Sequence, residues 1–205
     1  MSTETFVEQL YSKFLFRTSD ATGKADWVNR IETGQESLAQ VTYNFAQSPE
    51  YSLRAKSVSE LYFLLFERVP DSAGMQHWLD KVDQGLNTDD LVNLFMSSQE
   101  YANKYGAITD DSTFIEQLFE RGTGEPLSSY DKNSFDDSLQ SGGRAKVISD
   151  IADHGKFNQK HGNEIEKTSL YYGVLGRAPS AQELAGAPDD NLELINSLYI
   201  DQEYA

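Results

Sequence analysis

The stretch of sequence that decides the fold reads LYSKFLFRTSDATGKADW at residues 10–27 and returns as LYFLLFERVPDSAGMQHW at residues 61–78. The shared positions keep a constant offset of 51 residues (61 minus 10), and the match extends to Gly34 and Gly85. Beyond those glycines the register changes by one position, so that Phe45 and Tyr51 match Phe95 and Tyr101. A tandem repeat of this length predicts an array of supersecondary units.

A third copy has diverged at the turn. Its apolar positions are present, with Phe119 and Phe135 in place of the Tyr and Trp, and Gly142 falls at the position of Gly34. However, Glu125 stands where Arg68 would fall, and Asp131 stands where Gly74 would fall. The polar loop from Gly122 to Tyr130 is therefore the segment in which we would first look for a binding role.

A fourth copy restores the turn as Gly176-Arg177-Ala178-Pro179-Ser180, but its middle is shorter by about two turns of helix. The repeats are expected at residues 1–54, 55–107, 108–162 and 163–205, within one continuous domain. Terminal copies of arrays are commonly atypical because they cap the stack. Because the chain stops at Ala205, where the last helix of the fourth copy is expected to end, we expect a domain of a longer protein, with a natural short protein as the alternative.

Each copy shows three helical segments. The apolar residues of the first segment recur at i, i+3 and i+4, at Phe6, Val7, Leu10, Tyr11, Phe14 and Leu15. A second segment carries Trp27, and a third carries Phe45. No alternating strand pattern occurs in the sequence. The sequence therefore predicts an all-α fold built from about four helix-turn-helix-turn-helix repeats of roughly 50 residues.

The residues that recur between copies are predicted to build the turns and the core. Asp and Ser before a helix supply acceptors for its first amides, Gly ends a helix or permits close approach, and Trp packs on the apolar stripe. The motif positions are Arg17, Asp20, Gly23, Trp27, Gly34, Arg68, Asp71, Gly74, Trp78, Gly85, Arg177 and Ser180. The alternative is that the arginines bind sugars or carboxylates and that the tryptophans stack on sugar rings.

Composition excludes several classes of function. The formal net charge is −16, which disfavours nucleic acid and anionic membrane surfaces, because binding to either depends on Lys and Arg. The chain has no cysteine, so disulfides and thiolate-bound metals are excluded. The amino terminus has neither a basic nor an apolar segment typical of a signal peptide, and no apolar run is long enough to span a bilayer.

No recognised catalytic motif occurs, so the sequence predicts a protein that is not an enzyme and that has no organic cofactor. His154 and His161 lie seven residues apart, and a solvated pair is favoured over a metal site. The acidic doublets do not fit the spaced calcium loop, and most are expected at helix starts. They are Asp89-Asp90, Asp110-Asp111, Asp136-Asp137 and Asp189-Asp190. Calcium at an interface with a glycan stays an open alternative.

The motif as a set resembles the bacterial family catalogued as domain of unknown function 4214, and more loosely the phycobilisome rod-linker domain. The resemblance rests on Leu61-Tyr62, Arg68-Val69-Pro70-Asp71, Gly74, Trp78, Gly85, Phe95 and Ser98-Gln99-Glu100-Tyr101. It implies a protein secreted by the type I route or attached to the bacterial surface. Related helical segments form amino-terminal anchors of S-layer proteins on lipopolysaccharide. The family has no agreed activity.

These features together predict an extracellular, non-catalytic cell-surface module, exported without an amino-terminal signal peptide. Its expected role is to anchor an S-layer or similar exoprotein by binding an envelope glycan such as lipopolysaccharide O-antigen. Self-association in a surface lattice is compatible with that role. The alternative is a protein–protein assembly or linker module that binds no glycan.

Overall fold

The computed structural model describes residues 1–15, 17–82, 86 and 88–203, and for residues 52, 53, 88 and 201–203 it describes the backbone alone. The helices of the first half are α1 (Thr3–Phe14), α2 (Ala21–Glu32), α3 (Leu38–Ala46), α4 (Pro49–Tyr51), α5 (Ser57–Leu61), α6 (Ser72–Val82) and α7 (Thr88–Met96). Those of the second half are α8 (Gln99–Tyr105), α9 (Asp111–Thr123), α10 (Ser129–Ala152), α11 (Gly155–Leu175), α12 (Ala181–Gly186) and α13 (Asn191–Glu203). Two π-helical turns, π1 (Ser52–Lys56) and π2 (Tyr62–Phe66), flank α5. No strand occurs within these residues, which confirms the all-α prediction.

Helix starts follow the local sequence closely. Ser2 accepts a hydrogen bond from the Thr5 amide at the start of α1, and Ser37 forms a reciprocal capping box with Gln40 at the start of α3. Such caps supply acceptors for amides that have no partner inside the helix.

The order of the helices along the chain is consistent with the repeat. In the fourth copy, α12 has 6 residues against 12 in α2, in line with its shortened middle.

The chain divides into two compact units. The first unit comprises residues 1–56 and 166–205, so it combines the first copy with most of the fourth. In it, α3 packs against both α1 and α13. The Phe6 and Tyr199 rings meet edge on with centroids 5.8 Å apart, and the Thr42 and Tyr199 hydroxyls lie 2.5 Å apart. The Tyr51 hydroxyl, fully buried, donates to the Ser169 carbonyl.

The second unit comprises residues 57–165, which are most of the second and third copies. In it, α10 packs against α7 and α9, and π2 packs against α9 and α8. The Tyr105 hydroxyl donates to the Leu65 carbonyl at 2.9 Å in the buried interior. A side chain on Gly122 would come close to the Leu64 methyl group, so the glycine permits α9 and π2 to approach.

The π turns depart from the simple apolar stripe expected for the first helix of the second copy. All six residues from Leu61 to Phe66 are buried, so this segment is surrounded on every side rather than along one face. The turn ends at Glu67, which has a left-handed conformation with φ of 55°. Non-glycine residues adopt that conformation at a cost of about 1–2 kcal/mol. Glu67 lies in the short connection between π2 and α6, where the chain changes direction.

The backbone of α10 leaves the helical conformation at Gly143 (φ 65°, ψ −162°), so α10 consists of two helical segments joined there. The sequence alignment places Gly142 at the corresponding position, and the structure shifts it by one residue. The conformation at Gly143 is open essentially to glycine alone. The two segments supply the second and third helices of the third copy.

One prediction concerns two of the glycines of α11. A Cβ at Gly173 would collide with the Phe14 ring and lie 2.8 Å from the Tyr51 hydroxyl, whereas a Cβ at Gly162 would meet nothing within 4 Å. We expect Gly173→Ala to destabilise the protein by about 1–3 kcal/mol through overpacking. We expect the matched control, Gly162→Ala, to stabilise it by about 0.5–1 kcal/mol, because Gly is a poor helix former. Urea denaturation measures both, and equal effects of the two substitutions would contradict this packing.

Candidate functional site

The most polar recurring feature is the turn between the first and second helices of each copy, and the second copy shows it completely. Asp71 accepts a hydrogen bond from the Gly74 amide at 2.8 Å, which lowers the pKa of the Asp71 carboxyl. The Arg68 guanidinium lies 4.8 Å above the centre of the Tyr62 ring. It also donates to both carboxylate oxygens of Glu100 at 3.0 Å. We call this set of cation, aromatic ring, carboxylate partner and capping side chain the turn lock.

The first copy builds the same turn lock with looser distances. Arg17 lies 5.0 Å above the Tyr11 ring, 3.7 Å from Glu50 and 4.0 Å from Asp20. Asp20 caps α2 by accepting from the Gly23 amide at 2.8 Å. The four groups therefore come from the first helix, the turn and the residues after the third helix. A cation over an aromatic face is attracted by the ring quadrupole.

Positions 23 and 74 hold glycine because a tyrosine hydroxyl occupies the space that a side chain would need. A Cβ at Gly23 would collide with the Tyr11 hydroxyl, and a Cβ at Gly74 would collide with the Tyr62 hydroxyl. The Trp78 indole donates to the Tyr62 hydroxyl at 3.3 Å. The glycine and the tyrosine are therefore a matched pair.

Both tryptophans lie half-buried against an aromatic residue of the third helix. The Trp78 ring stacks on Phe95 at 4.1 Å with an interplanar angle of 24°, and Trp27 lies 5.4 Å from Phe45. Gly34 has a φ of +72° at the end of α2, where its amide donates to the Ile31 carbonyl. Gly85 lies outside the described residues.

The third copy carries the turn lock with its charges exchanged. Glu125 stands at the Arg position, and Lys156 stands one residue before Phe157, which is the position of Glu100. The Lys156 ammonium lies 2.8 Å from the Glu125 carboxylate and 5.6 Å from the centre of the Phe119 ring. In the third copy the cation above the ring therefore comes from the position that holds the carboxylate Glu100 in the second copy. From the sequence alone the arginine looks lost. The structure shows instead an ion pair in which the acidic and the basic residue have exchanged places.

The aspartate at the glycine position of the third copy is accommodated by a second change, the absence of a hydroxyl on the aromatic ring. Phe119 has no hydroxyl, so the space that Gly74 leaves for Tyr62 is not needed. Asp131 instead accepts from the Ser128 hydroxyl at 2.6 Å and lies 3.4 Å from the Nε2 atom of His154. Ser128 caps α10 by accepting from the Asp131 amide at 3.1 Å.

The histidines are not the solvated pair that the sequence favoured. The Nδ1 atom of His154 accepts from the Lys156 amide at 3.2 Å, so His154 takes the capping position that Ser98 holds in the second copy. His161 packs between Phe63 and Phe157, with centroids 5.5 and 5.0 Å away. Both rings are partly buried and engaged with neighbouring side chains.

The fourth copy combines the arginine–carboxylate pair of the turn lock with a capping box. Arg177 donates to both oxygens of Glu183, at 2.6 and 3.0 Å, and Ser180 accepts from the Glu183 amide at 3.2 Å. The arginine hydrogen bond, followed by that of the Ser180 amide, lowers the pKa of Glu183 to about 2. The partner of Arg177 thus comes from α12 itself.

In the last three copies, the residue directly before the turn is left-handed. Glu67, Gly124 and Gly176 have φ values of 55°, 76° and 72° and directly precede Arg68, Glu125 and Arg177. A left-handed residue reverses the chain after a helix. The turn geometry is therefore common to the last three copies even where their charges differ.

The acidic doublets do not converge. Asp110 and Asp190 cap α9 and α13 through hydrogen bonds from amides three residues on, at 2.7 and 2.8 Å. Asp136-Asp137 lies within α10, away from a helix start. Among the described residues, no group of three His, Asp or Glu side chains is placed to hold a metal ion.

A groove of about 500 Å³ lies between α1 and α2 of the first unit, and none of its residues is a recurring motif position. Its walls and floor are formed by Glu4, Ala21, Lys24, Ala25, Val28, Asn29 and Glu32. None of these is a turn-lock residue. A difference between copies was the one signal in the sequence that could have identified it.

Comparison with known proteins adds one match. Residues 1–55 and residues 53–102 each match the family model described as domain of unknown function (DUF4214). No curated protein and no solved structure matches the chain. No helix in the described part of the chain combines the length and the apolar character that crossing a bilayer requires.

The reversed ion pair predicts a rescue. Glu125→Arg places two cations together above Phe119, so we expect a lower melting temperature, and we expect Glu125→Arg with Lys156→Glu to recover it by restoring the charge order of the second copy. Arg68→Glu with and without Glu100→Arg is the matched control series, for which the coupling should be about 0.2–1 kcal/mol, as for other exposed pairs. A double variant no more stable than the single would contradict the reversed pair.

The fit between Gly74 and the Tyr62 hydroxyl predicts that substitutions at these two positions have non-additive effects on the free energy of unfolding. Gly74→Ala should destabilise the protein by about 1–3 kcal/mol, because the new methyl group meets the Tyr62 hydroxyl. In a Tyr62→Phe background the same substitution should cost less, since the hydroxyl is gone, as in the third copy. Denaturation of the four proteins of this cycle gives the coupling energy. Strict additivity would show that the hydroxyl is not what excludes the side chain.

Proposed function

We propose, from the premise that residues 1–102 belong to the DUF4214 family, that this chain is a non-catalytic surface module that attaches a bacterial exoprotein to the cell envelope. Its ligand in this proposal is an envelope glycan such as lipopolysaccharide O-antigen, and the exoprotein is an S-layer protein or a similar type I-secreted protein. The location is extracellular. The family itself carries no assigned activity.

The observation that supports this proposal best is that the recurring polar residues are engaged with one another. Arg17, Arg68 and Arg177 each lie in an ion pair, and Asp20, Asp71 and Ser180 each accept from a helix amide. Residues used to hold a turn together are not free to activate a nucleophile or to transfer protons. A role in recognition, performed by the surfaces between these turns, fits the repeats better than catalysis.

Charge limits the ligands that such a module could bind. With a net charge of −16 the surface repels phosphate-rich or carboxylate-rich polymers. A neutral glycan, or an anionic one bridged by a divalent cation, avoids that repulsion. Calcium is therefore a variable of the test and not a premise of the proposal.

The alternative, an assembly or linker module, would need a self-complementary surface. The large apolar side chains that are exposed in the described residues are Met1, Leu38, Tyr130 and Ile200. Met1, Leu38 and Ile200 belong to the first unit, and Tyr130 belongs to the second. Self-association is therefore measured beside glycan binding in the test below.

The proposal predicts retention that depends on surface polysaccharide. The purified chain should be retained on Gram-negative cells that display O-antigen and should wash off isogenic cells that lack it. Parallel samples with calcium and with chelator decide whether the cation is needed. Equal retention on both strains would overturn the proposal, and ordered self-association without glycan, seen by light scattering, would favour the assembly module instead.

A further inference from the structure

The groove between α1 and α2 marks a position at which two otherwise similar copies differ. Residues at the 51-residue offset from Glu4, Lys24 and Val28 are Ala55, Met75 and Leu79 in the second copy. Those three side chains are no more than 1 % exposed. In the first copy, α2 has no fully buried residue. Three positions of the groove are therefore apolar and covered in the second copy, whereas those matching Ala21, Ala25 and Asn29 are exposed there as Ser72, Gln76 and Asp80.

The polar groups of the groove are mostly acceptors without partners. Neither the Glu4 nor the Glu32 carboxylate has a hydrogen bond or ion pair within the described part of the chain, and the Asn29 side-chain amide has none either. Lys24 differs, because its ammonium lies 3.0 Å from Glu8, which also binds the Ser19 hydroxyl at 2.6 Å. The ammonium is thus held toward Glu8, and the groove is left rich in acceptors.

Small side chains form the floor between these acceptors. Ala21 and Ala25 are exposed, and Val28 is half-buried. An apolar floor with acceptors at its margins complements a sugar ring, which has C–H groups on its faces and hydroxyl donors on its edges. The volume of about 500 Å³ lies within the range of about 300–1,000 Å³ found for small-molecule sites. Two unpaired carboxylates exclude an anionic ring unless a cation bridges it.

We propose that this groove binds a neutral, hydroxyl-rich oligosaccharide segment, with Glu4, Asn29 and Glu32 bonding its hydroxyls. The inference rests on the proposed function, for which it names the site and the class of glycan. Asn29 can also donate to a ring or hydroxyl oxygen, which the carboxylates cannot do. The proposed site lies in the first copy, since the second copy has buried apolar side chains in place of Glu4, Lys24 and Val28.

The test is a titration of the isotope-labelled full chain with neutral mannose-, glucose-, galactose- and rhamnose-based oligosaccharides, followed by amide chemical shifts. We expect the largest shifts at residues 21–32, and no binding of a sialylated oligosaccharide without calcium. Asn29→Ala should weaken binding about tenfold, as loss of one hydrogen bond to a sugar hydroxyl would. Ala25→Gln, which introduces the residue that the second copy carries as Gln76, should block the floor.

Asp80→Ala is the matched control, since Asp80 occupies the Asn29 position on α6, and we expect it to leave binding unchanged. Glycan binding that neither Asn29→Ala nor Ala25→Gln weakens would overturn this groove while leaving the proposed function standing. If the unmodified chain bound no oligosaccharide and no O-antigen-bearing cell, both the groove and the proposed function would be overturned. Thermal denaturation of each variant shows whether it remains folded.

Discussion

The first amides of a helix have no partner inside it, and in the first two copies the second helix begins against the tyrosine hydroxyl of the first helix. An acceptor is therefore required at a place where space is limited. Asp20, Asp71, Ser128 and Ser180 meet that requirement with side chains short enough to fold back on their own turns. The aromatic ring, the glycine or aspartate near the helix start, and the cation above the ring are all arranged around this one constraint.

The free-energy contribution of each kind of contact distinguishes the contacts that stabilise the repeat from those that position its helices. Exposed ion pairs such as Arg68–Glu100 contribute about 0–1 kcal/mol, whereas burial of one large apolar side chain contributes about 1.5–3 kcal/mol. Phe95 and Phe119 are fully buried, and each packs against aromatic rings of its own copy. The turn lock determines how the helices enter that core. This division explains why the charges can be exchanged in the third copy without loss of the turn.

The third copy changes how divergence in such arrays should be read. Glu125 and Asp131 look like lost motif residues when the copies are aligned one position at a time. In space each has a changed partner, Lys156 and His154 respectively, and the missing hydroxyl of Phe119 accounts for the tolerated aspartate. The third copy is therefore a compensated turn, and the open difference between copies lies in the groove of the first. A binding role for the loop from Gly122 to Tyr130 stays a prediction.

The sequence by itself determined the helical class and several caps, among them Asp20, Asp71 and Ser180, because these depend on residues within one turn of each other. It also determined the family of residues 1–102, through spacing along the chain. Only the tertiary structure decided that the first copy shares a unit with the end of the chain, that Glu125 pairs with a lysine 31 residues away, and that Leu61 to Phe66 are buried all round. It also decided which face of α2 stays open. Those features depend on contacts between distant segments, and periodicity along one helix does not encode which neighbour will cover it.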